Sequence, residues 1–208
     1  MKKIIVMVIF ALLLSSNLYA ANAYTNDVSN DIFVVTRSEN SSEERYVQSL
    51  ANELNISYKE AYEMNQKENQ EYLSEIGTLG LDEIINYKTL IGSTSLSGAP
   101  QSVEMAVEVK YVYSYTTGKA LEIMSVGEPH MYIPGLSNVQ LSGGGYNKEV
   151  STTNARISRT ATLVYEVGSS TGITIGGDIL NISQTSSETY TVTTRAKTYV
   201  MSFGLSDL

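Results

Sequence analysis

Side chains able to carry chemistry are sparse in this chain. His130 is its only histidine, and it has neither cysteine nor tryptophan. A hydrolase triad needs a serine and a carboxylate beside its histidine, and no serine is read at the strand-to-helix elbow such enzymes use. The neighbours Glu128 and Pro129 place His130 in an exposed loop. One histidine and no thiol exclude the usual zinc ligand sets and thiol nucleophiles. A carboxylate pair for glycoside hydrolysis would draw on Glu104, Glu108, Glu122 and Glu166. These fall on the outward positions of predicted strands, where acids are ordinary. Asn26, Asp27, Asn30 and Asp31 offer hard oxygens for calcium, but their spacing matches no EF-hand loop and they read as a solvated tail. Gly143-Gly144-Gly145 before Tyr146 lacks the Lys-Ser/Thr pair and the helix of a phosphate loop and reads as a turn. The expectation is therefore a non-enzyme with no catalytic residue, metal or cofactor.

Two features point to binding instead. Tyr111, Tyr113 and Tyr115 line one face of one predicted strand. Exposed, they would form an aromatic platform for a glycan or peptide; buried, they are cross-strand packing. Continuity with Val103 to Val109 favours burial, with Tyr115 at the rim, so the three remain candidate ligand-binding residues. The Ser/Thr-rich stretch from Thr160 to Thr194 has the alternation of a membrane-inserting hairpin, although threonine is also a common surface-strand residue and Arg159, Glu166 and Asp178 add charge.

These residues are positioned by two regions of different character. Residues 24–100 hold 13 acidic and 5 basic residues, whereas residues 101–208 hold 9 and 7. The first is rich in Glu, Asn and Leu, the second in Ser, Thr, Val, Tyr and Gly. Ser41 with Glu44, and Ser57 with Glu60, fit capping boxes. Apolar residues follow each at helical spacing, and Gly77 is a plausible stop. The reading is a helical N-terminal region over 24–91, containing a helical hairpin, and a Ser/Gly linker over 92–100. The Leu50–Ala61 stretch has the local pattern of a DNA-binding helix-turn-helix, but its second helix would present Glu60, Glu63 and Glu68 to phosphate.

From 101 to 208 the period is two. Val103, Met105, Val107, Val109 and Tyr111 share one parity, and Glu104, Glu108 and Lys110 the other, which predicts one buried and one wet face. Ala120–Val126 returns as a hairpin, Pro129 and Pro134 bracket an edge segment, and Leu136–Leu141 forms a short strand. Ile157 to Val167 alternates again. Gly168–Gly172 is a hairpin loop, and Ile173–Ile182 is interrupted at Gly176-Gly177. Between Glu188 and Phe203 the apolar parity switches, as a bulge near Arg195–Lys197 would cause. Ile32–Val35 adds one possible strand. The fold class is α+β, a helical hairpin followed by an antiparallel β-sandwich-like domain. Hydrophobic content of 42% and charged content of 17% fit such a globular chain.

The address is the clearest signal. Lys2 and Lys3, an apolar run from Ile4 to Leu14 and the small-residue site Ala21-Asn22-Ala23 have the order of a secretory signal peptide. Residues 1–23 are expected to be removed after Ala23, leaving no membrane anchor. The leader takes two basic residues with it, so the net charge of −8 becomes −10, which disfavours nucleic acid.

Ser57-Tyr58-Lys59-Glu60-Ala61 and Arg159-Thr160-Ala161-Thr162-Leu163-Val164-Tyr165 belong to a layout that resembles uncharacterised exported β-rich proteins of Gram-positive bacteria. That resemblance implies no activity and no site residues. The expected function is a secreted, non-enzymatic binding or interaction module at a bacterial surface or in the medium, with a protein or glycan partner and edge strands free to pair. A membrane-active β-hairpin protein is the alternative, and a small carboxylate hydrolase the third.

Overall fold

The computed structural model describes residues 30–75 and 82–208. The expected signal peptide, Asn26, Asp27 and Gly77 lie outside them. The chain begins with strand β1 (Asn30–Asn40), continues with helices α1 (Glu43–Leu54) and α2 (Tyr58–Glu75), and returns to the sheet as β2 (Glu83–Ser95). Then come β3 (Ser102–Ser114), β4 (Lys119–Val126), β5 (His130–Tyr132), β6 (Gln140–Gly143), β7 (Asn147–Val150) and β8 (Asn154–Gly168). Strands β9 (Ile179–Gln184), β10 (Thr189–Thr194) and β11 (Lys197–Gly204) complete it.

The strands form one curled mixed sheet in the order β4-β3-β2-β1-β11-β8-β10-β9, with β5 on β3 and both β6 and β7 on β8. Two expectations need correcting here. The sheet is not wholly antiparallel, because β1 runs parallel to β11. The helices are also not a region that precedes the β-domain. Two strands, β1 and β2, fall within the supposed helical stretch 24–91, and β2 continues through the first residues of the supposed linker 92–100.

Strand β1 makes the curl. Asn30–Phe33 pair with β11, whereas Val34–Asn40 pair with β2, with a bulge between Val35 and Arg37. One strand thus belongs to both halves, a common way to turn a sheet corner. Gly92 sits opposite Val35 at this corner, and a Cβ there would come within 3.0 Å of Phe33 Cβ. Glycine is used because two strands approach closely, not because the chain turns. At the far edge, the Ile123 N–H donates to the Thr152 carbonyl at 2.8 Å, linking β4 to the β7–β8 connection.

The core lies inside the curl. It contains Phe33, Val103, Met105, Val107, Val109, Ile157, Leu163, Tyr165, Tyr199 and Met201, so the alternation read for β8 is observed, and of the two faces read for β3 the buried one is. The parity switch near residue 195 is observed too, as a break between β10 and β11, which pair with successive parts of β8. Tyr165 Oη is buried without a hydrogen-bond partner, and burial pushes its pKa up to about 12. Tyr165→Phe removes an unsatisfied polar atom and keeps the ring, so it is expected to raise stability by about 1 kcal/mol in urea unfolding. A loss of that size would show that the hydroxyl has a partner in solution.

The even face of β3 is the main surprise. Glu104, Glu108, Lys110 and Ser114 are all buried rather than wet. Helices α1 and α2 cover much of this side, with a small apolar cluster of Tyr46, Val47, Ala51, Ala61 and Tyr87. Each buried charge has a partner. Arg37 clasps Glu104 through both terminal nitrogens at 3.2 and 2.9 Å, and Tyr132 Oη donates to Glu104 at 2.6 Å. Glu108 accepts from Ser41 and, at 2.9 Å, from Thr89.

Local signals set the helix ends. Ser57 and Glu60 form the expected capping box, with Ser57 N–H to Glu60 Oε2 at 2.9 Å and Glu60 N–H to Ser57 Oγ at 3.2 Å. The first box is different. The N-cap is Ser42, whose hydroxyl accepts from the Arg45 N–H, and Ser41 is drawn inward to Glu108. Asn55, left-handed at φ 52°, ends α1.

Candidate functional site

A cleft of about 470 Å³ opens where α1 faces the junction of the two half-sheets. One wall is α1 itself, presenting Arg45, Gln48, Ser49 and Asn52 at helical spacing. The floor includes Thr89 of β2 and Ala106, Val107 and Glu108 of β3. The other wall brings Glu128, Pro129 and His130 together with Leu141, Tyr146 and Arg159.

Each wall is held in place. Ser49 Oγ accepts from the Glu128 N–H at 2.8 Å and sits so close to Gly127 that a Cβ there would be 2.6 Å away. Tyr46 Oη and Ser125 Oγ share a hydrogen bond of 2.6 Å, and Lys148 bridges Glu53 of α1 and the Val126 carbonyl. Helix α1 is therefore clamped to the end of β4. On the opposite side, Gly143 has φ +143°, and a Cβ would lie 2.4 Å from the Thr160 carbonyl oxygen. This glycine lets β6 close onto β8 before the chain swings through Gly144 and Gly145 to Tyr146.

Arg159 lies over the Tyr146 ring, its guanidinium carbon 4.7 Å from the centroid. This is within the range of a favourable cation–π contact. Arg159 Nε and Tyr146 Oη are both buried with no hydrogen-bond partner. Burial raises the Tyr146 pKa, against a lowering influence from Arg159. Arg45 stands 3.5 Å from Glu108, so one cationic group of the cleft is already paired. His130 stacks on Tyr132 at a centroid distance of 5.8 Å.

No family model, curated protein or solved structure matches the chain.

The tyrosines singled out from sequence climb out of the core. Tyr111 is buried, Tyr113 is half-buried and Tyr115 is 66% exposed, with successive rings edge to face at 6.4 and 5.6 Å. They form a packed ladder with an exposed tip, away from the residues that line the cleft. The acids are not brought together as a catalytic pair. Glu104 and Glu108 are held in separate hydrogen-bond sets, Glu122 accepts from Tyr72 Oη at 2.9 Å, and Glu166 is exposed on β8. Asp31, offered as a calcium ligand, bonds Lys197 instead. Gly168-Ser169-Ser170-Thr171-Gly172 spells a Gly-x-Ser-x-Gly pattern, but it leads from β8 towards β9, with no helix after it, so the elbow geometry is missing.

Sequence reasoning passed over Arg45, Gln48, Asn52, Tyr146 and Arg159 as site residues. A signal for one of them was present. Arg159 occupies an odd position in β8, between Ile157 and Ala161, where the parity demands an apolar residue. A charge on the core parity marks the place where the core opens.

Proposed function

We propose that this chain is an exported bacterial binding protein without enzymatic activity, which takes a protein or glycan ligand at the cell surface or in the medium. The sandwich-like curl supplies a rigid body, and the helical pair supplies one wall of the binding cleft. The observation that carries this reading is the cleft itself. Side chains from α1, β2, β3, β6, β8 and two connecting segments converge on it, and most of them offer hydrogen-bond donors or acceptors. Sites that bind small polar ligands have this form, a concavity with a few fixed polar groups on rigid elements. Of the candidate carboxylates, Glu104, Glu108 and Glu122 are committed to hydrogen bonds within the fold. The β8 side chains that a membrane-inserting hairpin would have to surrender to lipid instead fill the core. Among the described residues no helix is long and apolar enough to cross a membrane.

The test is a binding screen of the purified protein against bacterial glycans and extracellular proteins, repeated with Gln48→Trp. Gln48 is an exposed residue on the α1 wall, so an indole there fills the cleft mouth without touching the core. Binding should be saturable and fall at least about tenfold in the variant, equivalent to roughly 1.4 kcal/mol. Ligands bound equally by both proteins, or none bound by either, would remove the cleft from the account.

A further inference from the structure

We infer that the cleft recognises a carboxylate on a hydroxyl-rich ligand of the sugar-acid class, with Arg159 as the group that reads it. The inference rests on the cleft being the binding site. Among the described residues Arg159 has no carboxylate within salt-bridge distance, and its Nε has no acceptor. The neighbouring cation differs, since Arg45 already faces Glu108. An arginine seated 4.7 Å over an aromatic ring loses little freedom when it binds, and its terminal nitrogens match a carboxylate through two parallel N–H···O bonds. Arg159 is half-buried with its Nε sealed from the cleft, so a carboxylate is met by its terminal nitrogens.

The rest of the lining selects what carries the carboxylate. Gln48 and Asn52, joined by a hydrogen bond of 3.0 Å, keep a free amide oxygen and a free amide nitrogen between them, so that the pair can accept and donate as vicinal sugar hydroxyls require. Glu128 adds an acceptor and repels a second negative charge. Ala106, Val107, Pro129, Leu141 and the Tyr146 ring give the cleft an apolar share as well, which suits the C–H face of a sugar ring. One acidic group at the Arg159 end and hydroxyls along α1 satisfy the whole surface.

The probe is galacturonate, which carries a single carboxylate, compared with its methyl ester by calorimetry. The acid should bind and the ester should bind at least about tenfold more weakly. Arg159→Met should erase the difference between the two. Arg159→Lys should restore part of it, because lysine keeps the charge and loses the fork. If Arg159→Met does not fold, the acid-to-ester ratio in the unaltered protein decides alone. Equal affinity for acid and ester, failure of both to bind, or binding of a short peptide carboxylate in place of the sugar would overturn the inference. The cleft reading fails separately, if no ligand of the wider screen binds or if Gln48→Trp leaves every one of them unaffected.

Discussion

Replacing Lys197 with methionine is expected to lower stability by about 3–5 kcal/mol, a fall in Tm of roughly 6–20 °C for a chain of this size. Lys197, on β11, is buried and donates to both oxygens of Asp31 on β1, at 3.0 and 2.9 Å. It also pairs with Asp178, just before β9, and Asp178 accepts the Ser97 N–H from the β2–β3 connection at 2.6 Å. One ammonium therefore ties together four distant parts of the chain at the corner of the curl. Methionine fills a similar volume but leaves two carboxylates facing each other with little access to water. Burial by itself lowers the Lys197 pKa, but hydrogen bonds and charge from Asp178 and Asp31 outweigh it, and the net shift is upward. A raised folded-state pKa means that this stabilisation is complete below the unfolded value near 10.5 and is lost as pH rises through the folded value. Urea unfolding at pH 7 should show the full deficit, and the gap between the variant and the unaltered protein should narrow above pH 11. The double variant Lys197→Met with Asp178→Asn should recover part of the loss. A deficit under 1 kcal/mol at pH 7 would mean that the cluster is solvated.

The sequence made some of this architecture legible and hid the rest for definite reasons. Alternation along Val103–Tyr115 identified the core side of β3 because a strand side chain has only two directions to take. The same alternation says nothing about what lies over the second face. Glu104, Glu108 and Lys110 read as solvent-facing, yet all three are covered. Strand β2 escaped notice because Tyr87, Thr89, Leu90, Ile91 and Gly92 are buried in near-continuous order, so period two is lost where both faces are packed. Gly92 and the serines after it then resembled a loop. The capping box at Ser57 was readable because it is closed within four residues, whereas Ser41 was misread because its partner, Glu108, is 67 positions away. The cleft is the extreme case. Arg45 and Arg159 meet only after the sheet has curled, and no local pattern encodes that meeting.

Asn65→Ala is expected to release the helical pair from the sheet, at a cost of about 3–5 kcal/mol. Asn65 is completely buried between α2 and the sheet, and every polar group of its amide is used. Its Nδ2 donates to Glu43 at 2.7 Å and to Tyr87 Oη at 3.1 Å, while its Oδ1 accepts from Lys110 Nζ at 2.9 Å. The apolar cluster beneath the helices is small, so this polar seam largely decides how firmly they sit. Alanine leaves Lys110, whose side chain is 0% exposed, with Glu68 as its one remaining hydrogen-bond partner, itself half in solvent. Burial lowers the Lys110 pKa, and Glu68 offsets this only in part. The folded state then binds fewer protons than the unfolded one between the lowered value and 10.5, so stability rises with pH across that window. Losing Asn65 deepens the effect, and the Asn65→Ala deficit should shrink as pH rises towards 10.5, where a neutral Lys110 tolerates burial. Hydrogen exchange separates this from general weakening. Amides of α1 and α2 should exchange much faster in the variant, while those of β8 and β11 keep their protection. Uniform acceleration through helices and sheet alike would show that the seam is part of one cooperative core. Adding Lys110→Met to Asn65→Ala should return most of the loss, since the buried charge that Asn65 serves is then gone.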